Sequence, residues 1–286
     1  MRVAYLGPAG TFTEEALRVS ASAAVDEAPY ATVYEAVMAV QEGRADRAVV
    51  PIENSLEGSV TATLDTLAGE AADVRIVAEV VQPVRHCLIA RDGFEMGQIE
   101  RVLSHPQALA QCAAFLRATL PAAEPTATSS TAEAVRAVAQ SDQPWAAIGS
   151  RLAADLYDCR RLEDAIEDRP DNQTRFVWLA RGEVGDRERA TKTSVVFWGF
   201  NDQSPGALVD VLREFGDREI NLTKIESRPR AGPLGRYMFF ADLEGGADDP
   251  EVRSALLALG ERVEALRVLG TYPGAPDTDQ SRTTGR

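Results

Sequence analysis

Short apolar runs of strand length alternate with helical stretches from Arg2 to about Ala180, and no other feature of the chain narrows its fold as much. Val3–Leu6, Ala48–Ile52, Val74–Val81, Arg101–Leu103 and Ala146–Ile148 read as strands. Thr13–Ala24, Tyr34–Gln41, Val60–Ala68, Gln107–Leu116, Ala132–Ala139 and Arg151–Leu156 read as helices. This rhythm predicts an α/β architecture, because each helix can bury its apolar stripe on a sheet made by its neighbouring strands.

Helix starts are marked by Thr11 with Glu14, Ser104 with Gln107 and Ser130 with Glu133, each at capping-box spacing. In an open α/β sheet such starts sit at strand exits, where free N–H groups and the positive end of the helix dipole face a crevice. Any single cap also serves simply to stabilise its helix.

Residues 182–192 are polar, glycine-containing and aperiodic, and read as a linker between a first domain, 1–181, and a second, 193–272. The second runs strand Thr193–Phe200, helix Gly206–Phe215, strands Leu222–Glu226 and Tyr237–Leu243, helix Pro250–Val263 and strand Leu266–Tyr272. That order is βαββαβ, the ferredoxin-like arrangement. Residues 273–286, rich in Pro, Gly, Asp, Ser and Thr, are expected to be a disordered tail.

The formal charge is −14 and no basic stripe offers a path for a phosphate backbone, so nucleic acid is not an expected partner. An anionic substrate would need a local cluster of donors to overcome that field. Cys87, Cys112 and Cys159 have no metal-ligand spacing and their odd number argues against a disulfide framework. No apolar run reaches about 18 residues and the N-terminus has no signal-peptide pattern, so the expectation is a cytoplasmic protein without a membrane partner.

Four segments could carry chemistry. Gly7-Pro8-Ala9-Gly10-Thr11-Phe12-Thr13 is a strand exit into a capped helix and a candidate anion cradle, without the three-glycine spacing of a dinucleotide fingerprint. Pro51 to Val60 is another strand exit, where Asn54 and Ser55 could grip a carboxylate or hydroxyl, or simply form a turn. In Ser104-His105-Pro106-Gln107 the imidazole of His105 is a conceivable proton donor at neutral pH, with a structural histidine at a helix start as the competitor. Asp171-Asn172-Gln173-Thr174-Arg175-Phe176 offers a hydroxyl and a planar cation suited to carboxylate, and an ordinary loop-to-strand junction would also fit. There is no P-loop, zinc spacing or Gly-x-Ser-x-Gly elbow, so no metal or organic cofactor is expected.

Together and in this order the four segments resemble those of prephenate dehydratases, from Arg2 to about Leu179. Gly206-Ala207-Leu208-Val209 and Ile220-Asn221-Leu222-Thr223-Lys224-Ile225-Glu226-Ser227-Arg228-Pro229 look like the phenylalanine-responsive ACT domain of the same enzymes. The chorismate mutase segment fused to some relatives is absent from this sequence, which implies that another chain carries that activity. The resemblance implies an α/β catalytic domain of two lobes, like a type II periplasmic binding protein, plus a ferredoxin-like ACT domain. Lobe 1 would span about 1–82 and 170–181, lobe 2 about 83–169, with the active site between them.

The implied reaction turns prephenate into phenylpyruvate by losing carbon dioxide and water, without a cofactor. By similarity Thr174 assists the departing hydroxyl as a positioned donor, and His105 or a water supplies the proton. Arg175, Asn54, Ser55 and the amides after Gly10 would bind carboxylate, with Thr11, Ser104 and Gln107 lining the cleft. Phenylalanine would bind Gly206, Ala207, Leu208, Asn221, Leu222, Glu226 and Ser227, its carboxylate at the start of the helix and its amino group at Glu226. The family places that site between two ACT domains, which implies a homodimer or homotetramer. Arogenate dehydratase, acting on the amino analogue, and a non-catalytic amino-acid sensor remain the alternatives.

Overall fold

The structure is a computed structural model that describes residues 1–182, 187–200, 204–230 and 235–275. Most of the expected tail and part of the expected linker lie outside the described residues. Among the described residues no helix is long and apolar enough to cross a membrane.

The first part of the chain builds two sheets. Strands β1 (Arg2–Leu6), β2 (Asp26–Tyr30), β3 (Arg47–Asn54), β4 (Gly58–Ser59) and β5 (Val74–Pro83) enter the first, with helices α1 (Phe12–Ser20), α2 (Val33–Gln41) and α3 (Thr61–Ala68) between them. The chain then passes to the other sheet, made of β6 (Cys87–Ala90), β7 (Arg101–Ser104), β8 (Glu124–Ala127), β9 (Trp145–Gly149) and β10 (Arg160–Glu163), in the order β10-β6-β9-β7-β8. Helices α4 (Pro106–Gln111), α5 (Ala113–Thr119), α6 (Thr131–Ala139) and α7 (Arg151–Leu156) belong to this lobe. The return strand β11 (Gln173–Arg181) re-enters the first sheet between β3 and β5, antiparallel to both.

The remainder is β12 (Lys192–Trp198), α8 (Ala207–Gly216), β13 (Leu222–Pro229), β14 (Tyr237–Glu244), α9 (Pro250–Arg262) and β15 (Ala265–Tyr272). Its strands continue the first sheet, whose order is β13-β14-β12-β15-β5-β11-β3-β1-β2 with β4 paired to β3. The junction is the parallel pairing of Gly270 with Ile76. A Cβ at Gly270 would stand 2.2 Å from the Ile76 carbonyl oxygen, so only glycine lets β15 lie this close to β5.

Packing follows the same union. Val196, Phe240, Leu269 and Tyr272 share one buried cluster with Leu67, Ile76 and Val177 of the first part. On the other face, α8 and α9 cover Phe197, Phe239, Ala241 and Leu243, where the Phe197 and Phe239 rings stack at 5.7 Å. Burying a side chain of this size is worth about 1.5–3 kcal/mol, so the C-terminal strands are bound by two cores, one shared with the first part and one their own.

Candidate active site

A cavity of about 470 Å3 opens between the two sheets, lined from both sides by loops at strand exits. From the first sheet come Thr11 and Phe12 after β1, Asn54 and Glu57 to Val60 at and after the end of β3, and Asn172 and Thr174 at the start of β11. From the other come His105, Gln107 and Gln111 after β7, and Ser129 to Thr131 after β8. Thr11, Asn54, Gln107, His105 and Thr174 are thus gathered on one pocket from segments remote in sequence.

Thr174 and Asn54 form a cross-strand pair between β11 and β3. Asn54 Nδ2 donates to Thr174 Oγ1 at 2.9 Å, and also reaches Asn172 Oδ1 at 2.8 Å and the Gln173 carbonyl at 3.1 Å. Its Oδ1 accepts from the Leu56 and Glu57 amides. With every polar atom of Asn54 engaged, its side chain fixes the β3 exit loop and the Thr174 oxygen. Because that oxygen accepts from Asn54, the Thr174 hydroxyl keeps its hydrogen for an acceptor in the cavity.

His105 is the N-cap of α4, its Nδ1 accepting from the Gln107 amide at 3.3 Å. Acceptance at Nδ1 leaves the hydrogen of the neutral ring on Nε2. Two lining residues, Gln111 and His86, carry no role that the sequence alone assigns. Gln111 Oε1 accepts from His86 Nε2 at 3.0 Å and Asn172 Nδ2 at 3.2 Å, and its Nε2 reaches Glu57 at 3.4 Å, so it ties both lobes and the crossing strand together. The shared helix face of Gln107 and Gln111 was the available signal. His86 is 2 % exposed, edge-on to the Phe12 ring, and burial holds its imidazole below the usual range, with the Gln111 hydrogen bond and Glu167 acting the other way.

The electrostatics differ from expectation. Among the described lining residues Glu57 is the only formally charged side chain, and none is Lys or Arg. Positive partial charge is offered instead by the N-termini of α1, α3 and α6, where Phe12, Val60 and Thr131 stand at the cavity. Thr11 Oγ1 accepts from the Glu14 amide and donates to the Leu6 carbonyl, and Ser130 Oγ accepts from the Glu133 amide. The Glu14 carboxylate in turn receives the Gly10 amide at 2.6 Å, which takes that amide out of any anion cradle.

Lobe 2 also grips the β1 exit loop directly. Ser150 Oγ donates to the Gly10 carbonyl at 2.8 Å and the Tyr157 hydroxyl to the Ala9 carbonyl at 2.9 Å. Gly10 has φ +91° and a Cβ there would meet Ala153 at about 3.0 Å, so the turn both needs left-handed backbone and allows the close approach of α7.

Three expected substrate contacts fall elsewhere. Ser104 ends β7 fully buried, donating to the Ile148 carbonyl, and the cap it was expected to make belongs to His105. Ser55 is exposed and its Oγ accepts from the Gln173 amide, a turn function. Arg175 follows Thr174 on a strand, so its side chain takes the opposite face. There its guanidinium meets Asp242 at 2.7 Å, Glu79 at 3.2 Å and Glu53 at 3.2 Å, away from the cavity.

The residues expected to hold phenylalanine divide between the two faces of the C-terminal sheet. Gly206, with φ 87°, caps α8, and Ala207, Leu208 and Leu222 pack on the helix-side core. Ser227 pairs with Phe239 of that same core. Asn221 donates to Glu244 at 3.0 Å. Glu226 pairs with Phe240 on the opposite face, where it bonds Ser59. Within one chain, then, Glu226 does not meet the start of α8.

Comparison with known proteins gives the same picture over most of the chain. Residues 3–184 match the family model for prephenate dehydratase and residues 194–261 that for the ACT domain. A prephenate dehydratase of Mycobacterium tuberculosis is 41% identical over 286 aligned residues, covering 96% of this chain and 88% of the relative. The crystal structure of prephenate dehydratase from Arthrobacter aurescens in complex with L-Phe superposes with a TM-score of 0.87 at 40% identity, covering 95% of this chain and 90% of that one. GqqA, described as a novel type of quorum quenching acylase, superposes with a TM-score of 0.87 at 30% identity, covering 96% and 99%.

Proposed function

The chain belongs to the prephenate dehydratase family, and from that premise we propose that this cleft converts prephenate to phenylpyruvate under control of phenylalanine bound to the ACT domain. Prephenate carries a carboxylate on its quaternary ring carbon and a hydroxyl on the opposite one. The electron pair of the breaking C–CO2 bond enters the ring, the double bonds shift, and the hydroxyl departs with a proton as water. The enzyme has to hold two carboxylates in line and stabilise the leaving oxygen.

The observation that carries this reading is the Asn54–Thr174 hydrogen bond, which leaves the Thr174 hydroxyl as a fixed donor into the cavity. Such a donor stabilises developing charge without reorganising, an effect worth about 3 kcal/mol in comparable sites. His105 Nε2–H is a candidate hydrogen-bond donor to the leaving oxygen, with a water supplying the proton that departs with it. The N-termini of α1, α3 and α6 take the negative charge of the substrate, which answers how a chain of charge −14 attracts a dianion.

The acylase neighbour raises amide hydrolysis as an alternative chemistry. A hydrolytic nucleophile needs a base on its hydroxyl. Here Thr174 Oγ1 is bonded by an amide and Thr11 Oγ1 donates to a carbonyl, an arrangement that favours elimination.

For the effector, a cavity of about 350 Å3 at the start of α8, lined by Phe200, Ala207 and Val211 with the charged Asp210 and Arg262 beside them, can take an aromatic amino acid with its carboxylate towards the helix amides and Arg262. Exposed Val209, Ile225 and Leu257 on the ACT elements support assembly into a homodimer or homotetramer.

Steady-state turnover of prephenate and arogenate, with and without phenylalanine, tests the assignment. Prephenate is expected to be preferred and phenylalanine to change the rate. Preference for arogenate would move the substrate to the amino analogue, and phenylalanine binding without turnover of either would leave a sensor.

A further inference from the structure

The Thr174–Asn54 pair has another cross-strand pair immediately beside it, Arg175 with Glu53. Adjacent residues on a strand point to opposite sides of the sheet. Thr174 and Asn54 therefore face the cleft, while Arg175 and Glu53 take the other face, where they meet Asp242 and Lys224 of the ACT strands. Arg175 is only 11% exposed and lies among three carboxylates, Glu53 and Glu79 from the catalytic part and Asp242 from the ACT part. Asp242 is fixed from its own side by Ser194 Oγ at 2.6 Å, which meets the Tyr272 hydroxyl at 2.7 Å. Glu53 is paired at 3.1 Å with Lys224 of the ACT strand β13. Lys224 and Glu226 also bond Ser59, a lining residue of the cavity.

We propose that Arg175 is a positioning residue which sets Thr174 and Asn54 from behind, with Asp242 as its ACT-side partner, so that a displacement of the ACT sheet is read out as a displacement of the Thr174 hydroxyl. The role of Thr174 in it rests on the dehydratase reading; the link between β11 and the ACT sheet does not. A buried cation among carboxylates is costly to leave unmatched, so Arg175 follows Asp242 rather than releasing it. The Arg175 Nη2 and Nε atoms and Asp242 Oδ2 are buried without aligned hydrogen bonds, so Arg175 and Asp242 hold each other by ion contact, while Arg175 Nη1 keeps a hydrogen bond to Glu79 at 3.2 Å that anchors it on the catalytic side. Small misplacements of a catalytic group are enough to act as a control, since about 1 Å can cost about 100-fold in rate.

The test uses the full chain as wild type, Arg175→Gln, Asp242→Asn and the double variant, with thermal unfolding as the check on folding. Each single substitution is expected to lower kcat for prephenate by about tenfold or more with KM within about twofold, and the double variant to be no worse than the poorer single, as for two members of one link. Amide hydrogen exchange of the peptide spanning Gln173–Phe176, measured without any ligand, should rise in both singles to the same extent. Should Arg175→Gln fail to fold, Asp242→Asn reads the same link. A tenfold rise in KM for Arg175→Gln with kcat retained would overturn the proposal in favour of a substrate ligand. So would wild-type kcat and wild-type exchange in Asp242→Asn. A wild-type protein inactive on prephenate would sink the dehydratase reading instead, and the exchange comparison alone would then decide the link.

Discussion

Asn54 Nδ2 and Thr174 Oγ1 stand 2.9 Å apart across the β3–β11 ladder, and this contact aims the hydroxyl that the proposed elimination uses. Thr174→Ala is expected to lower kcat by about 100-fold or more, with KM little changed, because the lost interaction belongs to the departing oxygen. Thr174→Ser, which keeps the hydroxyl, should retain more activity than Thr174→Val, which keeps only the shape. Rates of the three variants against prephenate check this.

The Tyr157 hydroxyl of lobe 2 reaches the Ala9 carbonyl in the β1 exit loop of lobe 1. Tyr157→Phe removes one hydrogen bond worth about 1 kcal/mol and should raise KM for prephenate several-fold while leaving kcat nearly intact. Steady-state kinetics separate the two parameters.

Gly270 lies too close to Ile76 to accept a side chain. Gly270→Ala must push β15 from β5, with an expected loss of about 1–3 kcal/mol, typical of overpacking. The thermal midpoint should fall, and the rate response to phenylalanine should weaken because the sheet that joins the two parts is parted.

Burial holds the His86 pKa below the ordinary 6.5. Folding therefore disfavours the imidazolium, so the contribution of His86 to stability is complete above about pH 6.5 and is lost as pH falls from there towards the folded pKa. Wild type should lose more of its thermal midpoint between about pH 7.5 and pH 5.5 than His86→Gln does. Paired melting curves give the comparison.

Much of this was legible in the sequence, for physical reasons. Capping pairs at Thr11 and Ser130 and the apolar cores of β1, β3 and β5 encode their elements locally, and strand exits followed by capped helices located most of the cavity wall. Strands β2, β8 and β10 escaped notice because edge positions tolerate Pro and charge, and β6 because four apolar residues have no readable period. The single helix expected over Gln107–Leu116 is two, broken at Cys112. The strand period alone separates Arg175 from the cleft, since the neighbours Thr174 and Arg175 cannot both face it. The union of the two parts through Gly270 depends on a close approach of strands far apart in the chain, which no local pattern records.

The most direct measurement of the central claim is a product balance with purified full-length protein and prephenate. Equimolar carbon dioxide and phenylpyruvate are predicted, formed at a rate that Thr174→Ala reduces by about 100-fold. Folded wild-type protein that releases neither product, or a Thr174→Ala variant that releases both at the wild-type rate, would contradict it.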